Sequence, residues 1–337
     1  MNMSLREFKE QFLNQALELL WRQWTVLGVS GHAEGEAPWM IDPEALLLAT
    51  CTFGRWEPRL FDEVLDWLRA NGWVMNTQRL GTVLREEAWG GGPVLAAVAG
   101  WRNTGSDALK WRRLAQPLPR SAEAEGLFRF KDGRTMPVVG EPEPHFAGHG
   151  FRRNALRLRG LSRPFQPLER GNLLVQLRAL CGVNVRAEII AYLLTHETGH
   201  PAEMARALYF HKRTIQDALG EMNASGVVEL RPLGREKHYW LHGEAWRALL
   251  QRTGTMPQWV GWPPFWSGLE QIWLKLSDPQ LEALEPVMLS SVLRQIMVRV
   301  RPVIDRAGTG KPLADDRQYL GEKYLPVFMA DVMSLLR

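Results

Sequence analysis

Gly199 and Pro201 restrict the fold of this chain more than any other pair of residues. Proline lacks a backbone N–H, and its ring clashes with the carbonyl four residues earlier, so a helix that reaches position 201 is kinked or broken there. The preceding string, His196–His200, matches the H-E-x-x-H pattern, which holds zinc when both histidines share one face of a continuous helix. We therefore predict that residues 195–199 connect two helices and that Pro201 begins the second.

Composition excludes several classes of protein. The chain has 337 residues, of which 45% are hydrophobic and 23% charged, as in ordinary globular proteins of two or three domains. No run approaches the 18 apolar residues of a transmembrane helix, and the polar N-terminus has no signal-peptide core. Cys51 and Cys181 are too few for a disulfide scaffold or a cysteine-based zinc site. We expect a cytoplasmic protein with no membrane contact, no metal and no cofactor.

Gly- and Pro-rich breaks divide the chain into four segments. These are a mainly helical N-terminal domain (1–140), a basic linker (141–168), a third domain (169–250) and a helical C-terminal domain (251–337). Three short helices at 42–88 fit either a degenerate helix-turn-helix or a plain helical bundle. Six arginines against one glutamate in residues 151–170 suit either contact with a polyanion or a solvated linker face.

The third domain has the most regular pattern. Asn184 can cap a first helix, Pro201 begins a short second helix, and a third runs from Lys212 to Ala224. An extended pair follows, with strands at 227–231 and 237–241 joined by a turn at 232–236. In the N-terminal domain, Asp132-Gly133 between short apolar runs predicts a separate tight turn.

This order of helix, short helix, turn, helix and two-stranded wing resembles the winged helix-turn-helix superfamily of bacterial transcription regulators. The resemblance lies in residues 170–245 and rests on four phrases: Pro201-Ala-Glu-Met-Ala-Arg-Ala-Leu, His211-Lys-Arg-Thr-Ile-Gln-Asp-Ala-Leu, Ser225-Gly-Val-Val-Glu-Leu and Gly234-Arg-Glu-Lys-His-Tyr-Trp-Leu. It implies a mainly α fold with small β structure, in which a winged helix-turn-helix domain is flanked by helical N- and C-terminal domains.

A recognition helix presents its N-terminal half to base edges in the major groove. In this chain that half carries His211, Lys212, Arg213, Thr214 and Gln216, which suit guanine, adenine or phosphate. The wing would meet the DNA backbone or minor groove through three further cations: Arg231, Arg235 and Lys237. Acidic Asp217 and Glu221 on the same helix must then face away from phosphate.

These features favour a sequence-specific regulator of transcription, a repressor without enzymatic activity, that binds double-stranded DNA. Because two-fold proteins match two half-sites, we expect a homodimer joined through residues 251–337, and either a small molecule or a protein could be its effector. An alternative is a protein-interaction module, either antitoxin-like or the regulatory partner of an enzyme. A third interpretation is a zinc metallohydrolase that uses the string at 196–200, although the sequence does not identify a third ligand.

Overall fold

The computed structural model describes residues 3–31, 37–103, 108–116, 124–234 and 236–337. Over these residues the chain is mainly helical, with fifteen α-helices and two small two-stranded sheets, which confirms the expected mainly α class with a small β component. None of the described helices has the length and apolar character needed to cross a membrane.

In chain order, the helices and strands form one group before residue 150 and a second group after it. The first group is α1 (Leu5–Val26), α2 (Pro43–Phe53), α3 (Pro58–Asn71), α4 (Thr77–Glu86), α5 (Gly92–Arg102), α6 (Ala108–Trp111), β1 (Glu125–Gly126) and α7 (Pro144–Gly148). The second group is β2 (Phe151–Arg152), α8 (Leu173–Cys181), α9 (Val185–Thr195), α10 (Pro201–Leu208), α11 (Lys212–Ala224), β3 (Glu229–Leu233), β4 (Glu236–Trp240), α12 (Gly243–Leu249), α13 (Trp262–Leu276), α14 (Pro286–Asp305) and α15 (Tyr324–Leu336).

Local capping explains where several helices begin. Asp42 accepts hydrogen bonds from the backbone N–H groups of Glu44 and Ala45, with Pro43 in the first helical position, as the sequence predicts. Asn76 caps α4 and Asn184 caps α9 by the same kind of bond. These side chains satisfy backbone donors that the first helical turn leaves unpaired, so their effect does not depend on distant residues.

One hydrophobic core contains side chains from both ends of the chain. Phe12 of α1 stacks on Trp273 of α13 with ring centroids 5.8 Å apart, and Phe8 packs edge-on against Phe328 of α15. Burial of such rings removes a large apolar area from water. The helices after residue 251 therefore share their core with the N-terminal region. In this region the sequence predicts a helix at 279–304, whereas α14 begins at Pro286 after a short 3₁₀ turn.

A second core lies between α8, α9, α10, α11 and the hairpin formed by β3 and β4. The hairpin is antiparallel and pairs Glu229 with Trp240 and Leu233 with Glu236. The strand predicted at 227–231 was placed two residues too early, because Val227 and Val228 donate their N–H groups to the Met222 carbonyl at the end of α11. The turn is therefore shorter than predicted.

The segment predicted to be a basic linker is in part regular and anchored. It contains α7, and its β2 pairs in parallel with β1. Arg153 is buried and forms an ion pair of 2.7 Å with Asp62, and Arg159 pairs with Glu63 at 2.6 Å. Neither ion pair could be predicted from composition, because the carboxylates are about 90 residues away in sequence. The predicted Asp132-Gly133 turn is confirmed, with Gly133 at φ +86° and the Phe130 N–H bonded to the Arg134 carbonyl.

Five charged side chains connect the two cores, and we call them the buried ion network: Asp42, Glu44, Arg79, Arg178 and Glu188. Arg178 contacts Glu44 at 2.7 Å and Glu188 at 2.5 Å, and it donates to the Val74 carbonyl. Arg79 contacts Asp42 at 2.6 Å and Glu44 at 2.7 Å, and it donates to the Leu208 carbonyl at the end of α10. The network therefore joins α2 and α4 to α8, α9 and α10.

Candidate functional site

The His196–His200 string does not lie on one helix. The string lies between two helices: α9 ends at Thr195 and α10 begins at Pro201, which confirms the predicted boundary. The His200 ring accepts a hydrogen bond from the Ala202 N–H and so caps α10. The two histidines thus have separate local roles.

His196 belongs to an aromatic cluster. Its ring stacks on Tyr192 with centroids 3.8 Å apart and meets Trp259 edge-on at 5.3 Å, and its Nδ1 donates to the Tyr192 carbonyl at 2.9 Å. Burial lowers the pKa of His196, which favours the neutral ring. Among the described residues, no three His, Cys, Asp or Glu side chains are grouped closely enough to hold a metal ion.

The predicted recognition helix, α11, has one buried and one exposed side. Its buried side carries Ile215, Ala218, Leu219 and Met222, which pack into the second core. The predicted base-contacting residues His211, Lys212, Arg213, Thr214 and Gln216 are all exposed at its N-terminal end. These five side chains are therefore open to solvent at the start of the helix, where Ile215 between them is buried in the second core.

The turn before α11 is fixed by contacts with the first core. Tyr209 adopts the left-handed conformation at φ +60°, which is unusual for a residue with a side chain. Its hydroxyl donates to the Glu87 carboxylate at 2.6 Å, and Glu87 also accepts two hydrogen bonds from Arg306. These contacts hold the strained turn and so determine the direction in which α11 starts.

Acidic residues share the exposed side of α11. The Arg213 Nε lies 3.0 Å from the Asp217 carboxylate, as expected for side chains four residues apart. Glu221 pairs with Arg186 of α9. Asp217 therefore lies beside Arg213, one of the predicted base-contacting residues. No sequence pattern indicates that Arg186 lies beside α11, because its position there depends on how α9 and α11 pack.

The hairpin places its predicted cations on opposite faces. In the observed register Arg231 is opposite His238 and Pro232 is opposite Lys237, and residues directly opposite each other share a face. The Arg231 guanidinium lies 4.2 Å from the centre of the Trp240 ring, a cation–π contact. Lys237 is exposed, and Arg235 lies outside the described residues. Arg231 and Lys237 thus flank the hairpin instead of forming one basic face.

The described part of the candidate site consists of the exposed start of α11 and the two flanking cations of the hairpin. The second core holds both elements in place, because Tyr239 of β4 exchanges two backbone hydrogen bonds with Gly199 before α10. Comparison of the chain with models of known families, with characterised proteins and with solved structures gives no match.

Proposed function

We propose that this protein is a sequence-specific, double-stranded DNA-binding regulator of transcription and that it acts as a repressor. The observation that carries the proposal is the N-terminal end of α11, where Lys212, Arg213, Thr214 and Gln216 are exposed while the apolar residues of the same helix are buried in the second core. Arginine and lysine pair with guanine acceptors in the major groove, and glutamine pairs with adenine.

The order of the surrounding elements supports a winged helix-turn-helix. In such a fold a first helix, a second short helix and a recognition helix precede a two-stranded wing. The elements α9, α10, α11 and the β3–β4 hairpin follow that order within one core. In this proposal α11 enters the major groove, and the tip of the hairpin contacts the backbone through Arg231 and Lys237 from its two sides.

The first step of the test is to identify the DNA sequence that the protein binds. The purified protein is mixed with genomic fragments, and the bound pool is sequenced. Binding to the selected site is then measured for Arg213→Ala, which should lose about 1–3 kcal/mol because a base or phosphate contact is removed.

A matched control is Arg317→Ala. Arg317 is as exposed as Arg213, with 85% against 83% of the side chain accessible, and it too has an aspartate partner, but it lies outside α11 and the hairpin. The control should bind as the wild type does. If the protein selects no DNA at low salt, the proposed function is wrong. If both variants bind the selected DNA equally well, the assignment of α11 as the recognition helix is wrong.

A homodimer is part of the proposal, because two-fold symmetry matches two half-sites in DNA. The C-terminal helix α14 exposes Val287, Met288 and Val298, each more than half accessible, and these apolar side chains are candidates for the contact. Light scattering across a range of protein concentrations tests this part separately from DNA binding. A protein that stays monomeric at all concentrations would show that the homodimer is not part of the function.

A protein-interaction module is the second candidate, and the charge balance of α11 favours it. On the exposed side Lys212 and Arg213 are matched by Asp217 and Glu221, so this helix face has no excess positive charge. The nearby hairpin also exposes Leu233, 69% accessible. Co-purification of a stoichiometric protein partner, lost in Leu233→Glu and kept in Arg213→Ala, would favour this function over DNA binding.

A further inference from the structure

A groove of about 750 Å³ lies on the first core, away from α11 and the hairpin. Its walls are the first turns of α1, the end of α13 and the turn at 129–134, and Arg55-Trp56 adjoin them. This volume is typical of sites for small organic molecules. No local sequence pattern indicates this groove, because its walls come from four distant parts of the chain.

The groove has an excess of positive charge. Its described lining contains three carboxylates, from Glu10, Asp132 and Glu282, against six cationic side chains: Arg6, Lys9, Arg55, Arg129, Lys131 and Arg134. Glu125, outside the lining, pairs with Arg55 and Arg129. Positive charge in a recess with apolar walls concentrates anions there.

Three of these six cations have partners that an anion can replace at little cost. Arg134 pairs with Asp132 two residues away, with 79% of the Arg134 side chain accessible, and Arg6 pairs with Glu10 on the same helix. Lys131 donates to the Asn14 amide oxygen. Exposed pairs of this kind add little to stability, whereas charge-assisted hydrogen bonds from arginine to a phosphate are strong.

Aromatic and aliphatic side chains form the other part of the lining. Trp56 is half-buried and meets Trp273 edge-on with ring centroids 5.2 Å apart, while Leu274 beside it is 57% accessible. Trp273 itself is 4% accessible, and its indole N–H has no acceptor among the described residues. Trp56 and Leu274 therefore supply most of the accessible apolar surface beside the cations.

We propose that this groove binds a nucleoside di- or triphosphate, with the phosphates among the arginines and lysines and the base against Trp56. The cations account for a multiply charged anion, and the half-buried Trp56 ring accounts for a planar ring attached to it. The proposal stands independently of the proposed function, since none of the described residues of α11 or the hairpin lines the groove.

The experiment is titration calorimetry of the full chain with ATP, with tripolyphosphate and with adenosine, together with quenching of tryptophan fluorescence. ATP should bind with one-to-one stoichiometry. Tripolyphosphate should bind about tenfold more weakly because it lacks a base to stack. Adenosine should bind more weakly than ATP by a larger factor because it lacks the charges.

Two double variants localise the binding. Lys131→Ala/Arg134→Ala removes two exposed cations from the groove and should weaken ATP binding at least tenfold. Lys212→Ala/Arg213→Ala removes the same charge from α11 and should leave ATP binding unchanged. No binding of ATP at millimolar concentration, equal weakening in both variants, or equal binding of ATP and adenosine would overturn the proposal, as would tighter binding of single-stranded DNA in the same groove.

Discussion

Two clusters of charged residues in this chain have the same chemistry and opposite surroundings. In the buried ion network Arg178 is fully buried, and both of its carboxylate partners are buried with it. On α11 the Arg213 side chain is 83% accessible, and its partner Asp217 is 53% accessible. Both clusters consist of arginines within hydrogen-bonding distance of carboxylates. We nevertheless expect the stability lost when one pair is broken to differ several-fold between the two clusters.

The difference follows from solvation. Removing one member of a buried pair leaves a charge in a medium that solvates it poorly, whereas water replaces a lost partner at the surface. The buried network therefore fixes how α8 and α9 sit on α2 and α4. The arginine on α11 can exchange its carboxylate for another anion.

The largest expected effect comes from breaking the buried network. Arg178→Met should lower the free energy of unfolding by about 3–5 kcal/mol, because Glu44 and Glu188 lose a shared cation in the interior. Chemical denaturation measures it. Arg213→Met serves as the matched control and should change stability by less than about 1 kcal/mol. Similar losses in the two variants would contradict the contrast between buried and exposed pairs.

The buried ion network should make stability depend on pH. Burial raises the pKa of Glu188 above its ordinary value, so the folded state holds this proton more tightly than the unfolded chain does. The contribution of Glu188 to stability must then fall as the pH rises from 4.5 through its folded pKa. Denaturation at several pH values should show the wild type losing stability relative to Glu188→Gln over this window. A constant difference would show that the proton is not retained.

Asp42 in the same network should behave in the opposite way. Although burial opposes its charge, the ion pair with Arg79 holds the pKa of Asp42 below its ordinary value. Its contribution is therefore present above pH 3.8 and is lost as the pH falls through the lower folded pKa. Loss of the ion pair should make Asp42→Asn less stable than the wild type by a constant amount at neutral pH. Denaturation at several pH values should show this difference in the free energy of unfolding becoming smaller only at the most acidic values, where the wild type loses the contribution of Asp42.

A smaller effect is expected at the exposed hairpin. If Lys237 contacts phosphate, Lys237→Ala should weaken DNA binding about equally for all sequences and reduce the slope of log affinity against log salt by about 1. Fluorescence anisotropy at several salt concentrations measures this slope. Arg213→Ala provides the contrast, since loss of a base contact should also change sequence preference. An unchanged salt slope would remove Lys237 from the phosphate contacts.

The smallest effect concerns the exposed pair itself. A double-mutant cycle of Arg213→Ala and Asp217→Ala should give a coupling energy for folding of about 0.3–0.5 kcal/mol, the range for pairs four residues apart on a helix. Asp217→Ala alone should strengthen DNA binding, because it removes a competing carboxylate from Arg213. Weaker DNA binding in that variant would argue that Asp217 positions the arginine and does not compete for it.

Local sequence determined the boundaries of many elements. Asp42 with Pro43, Asn76, Asn184 and Pro201 were each recognisable as the start of a helix, because a cap or an N-terminal proline acts on backbone groups within one turn. The break at Gly199 and Pro201 is enough by itself to indicate that His196 and His200 do not share a helix. The bounds of α11 were likewise predicted correctly, since they depend on its own apolar spacing and on Gly226.

Tertiary structure alone decided which distant groups meet. Arg178 reaches Glu44 across 134 residues, α13–α15 share a core with α1, and the groove takes its walls from four separate segments. A hint existed in Glu188, a charged residue within the apolar stretch of α9, but it could not identify its partner. Helix caps and turns follow from short-range geometry that a sequence states directly, whereas the pairing of buried charges depends on how the helices pack.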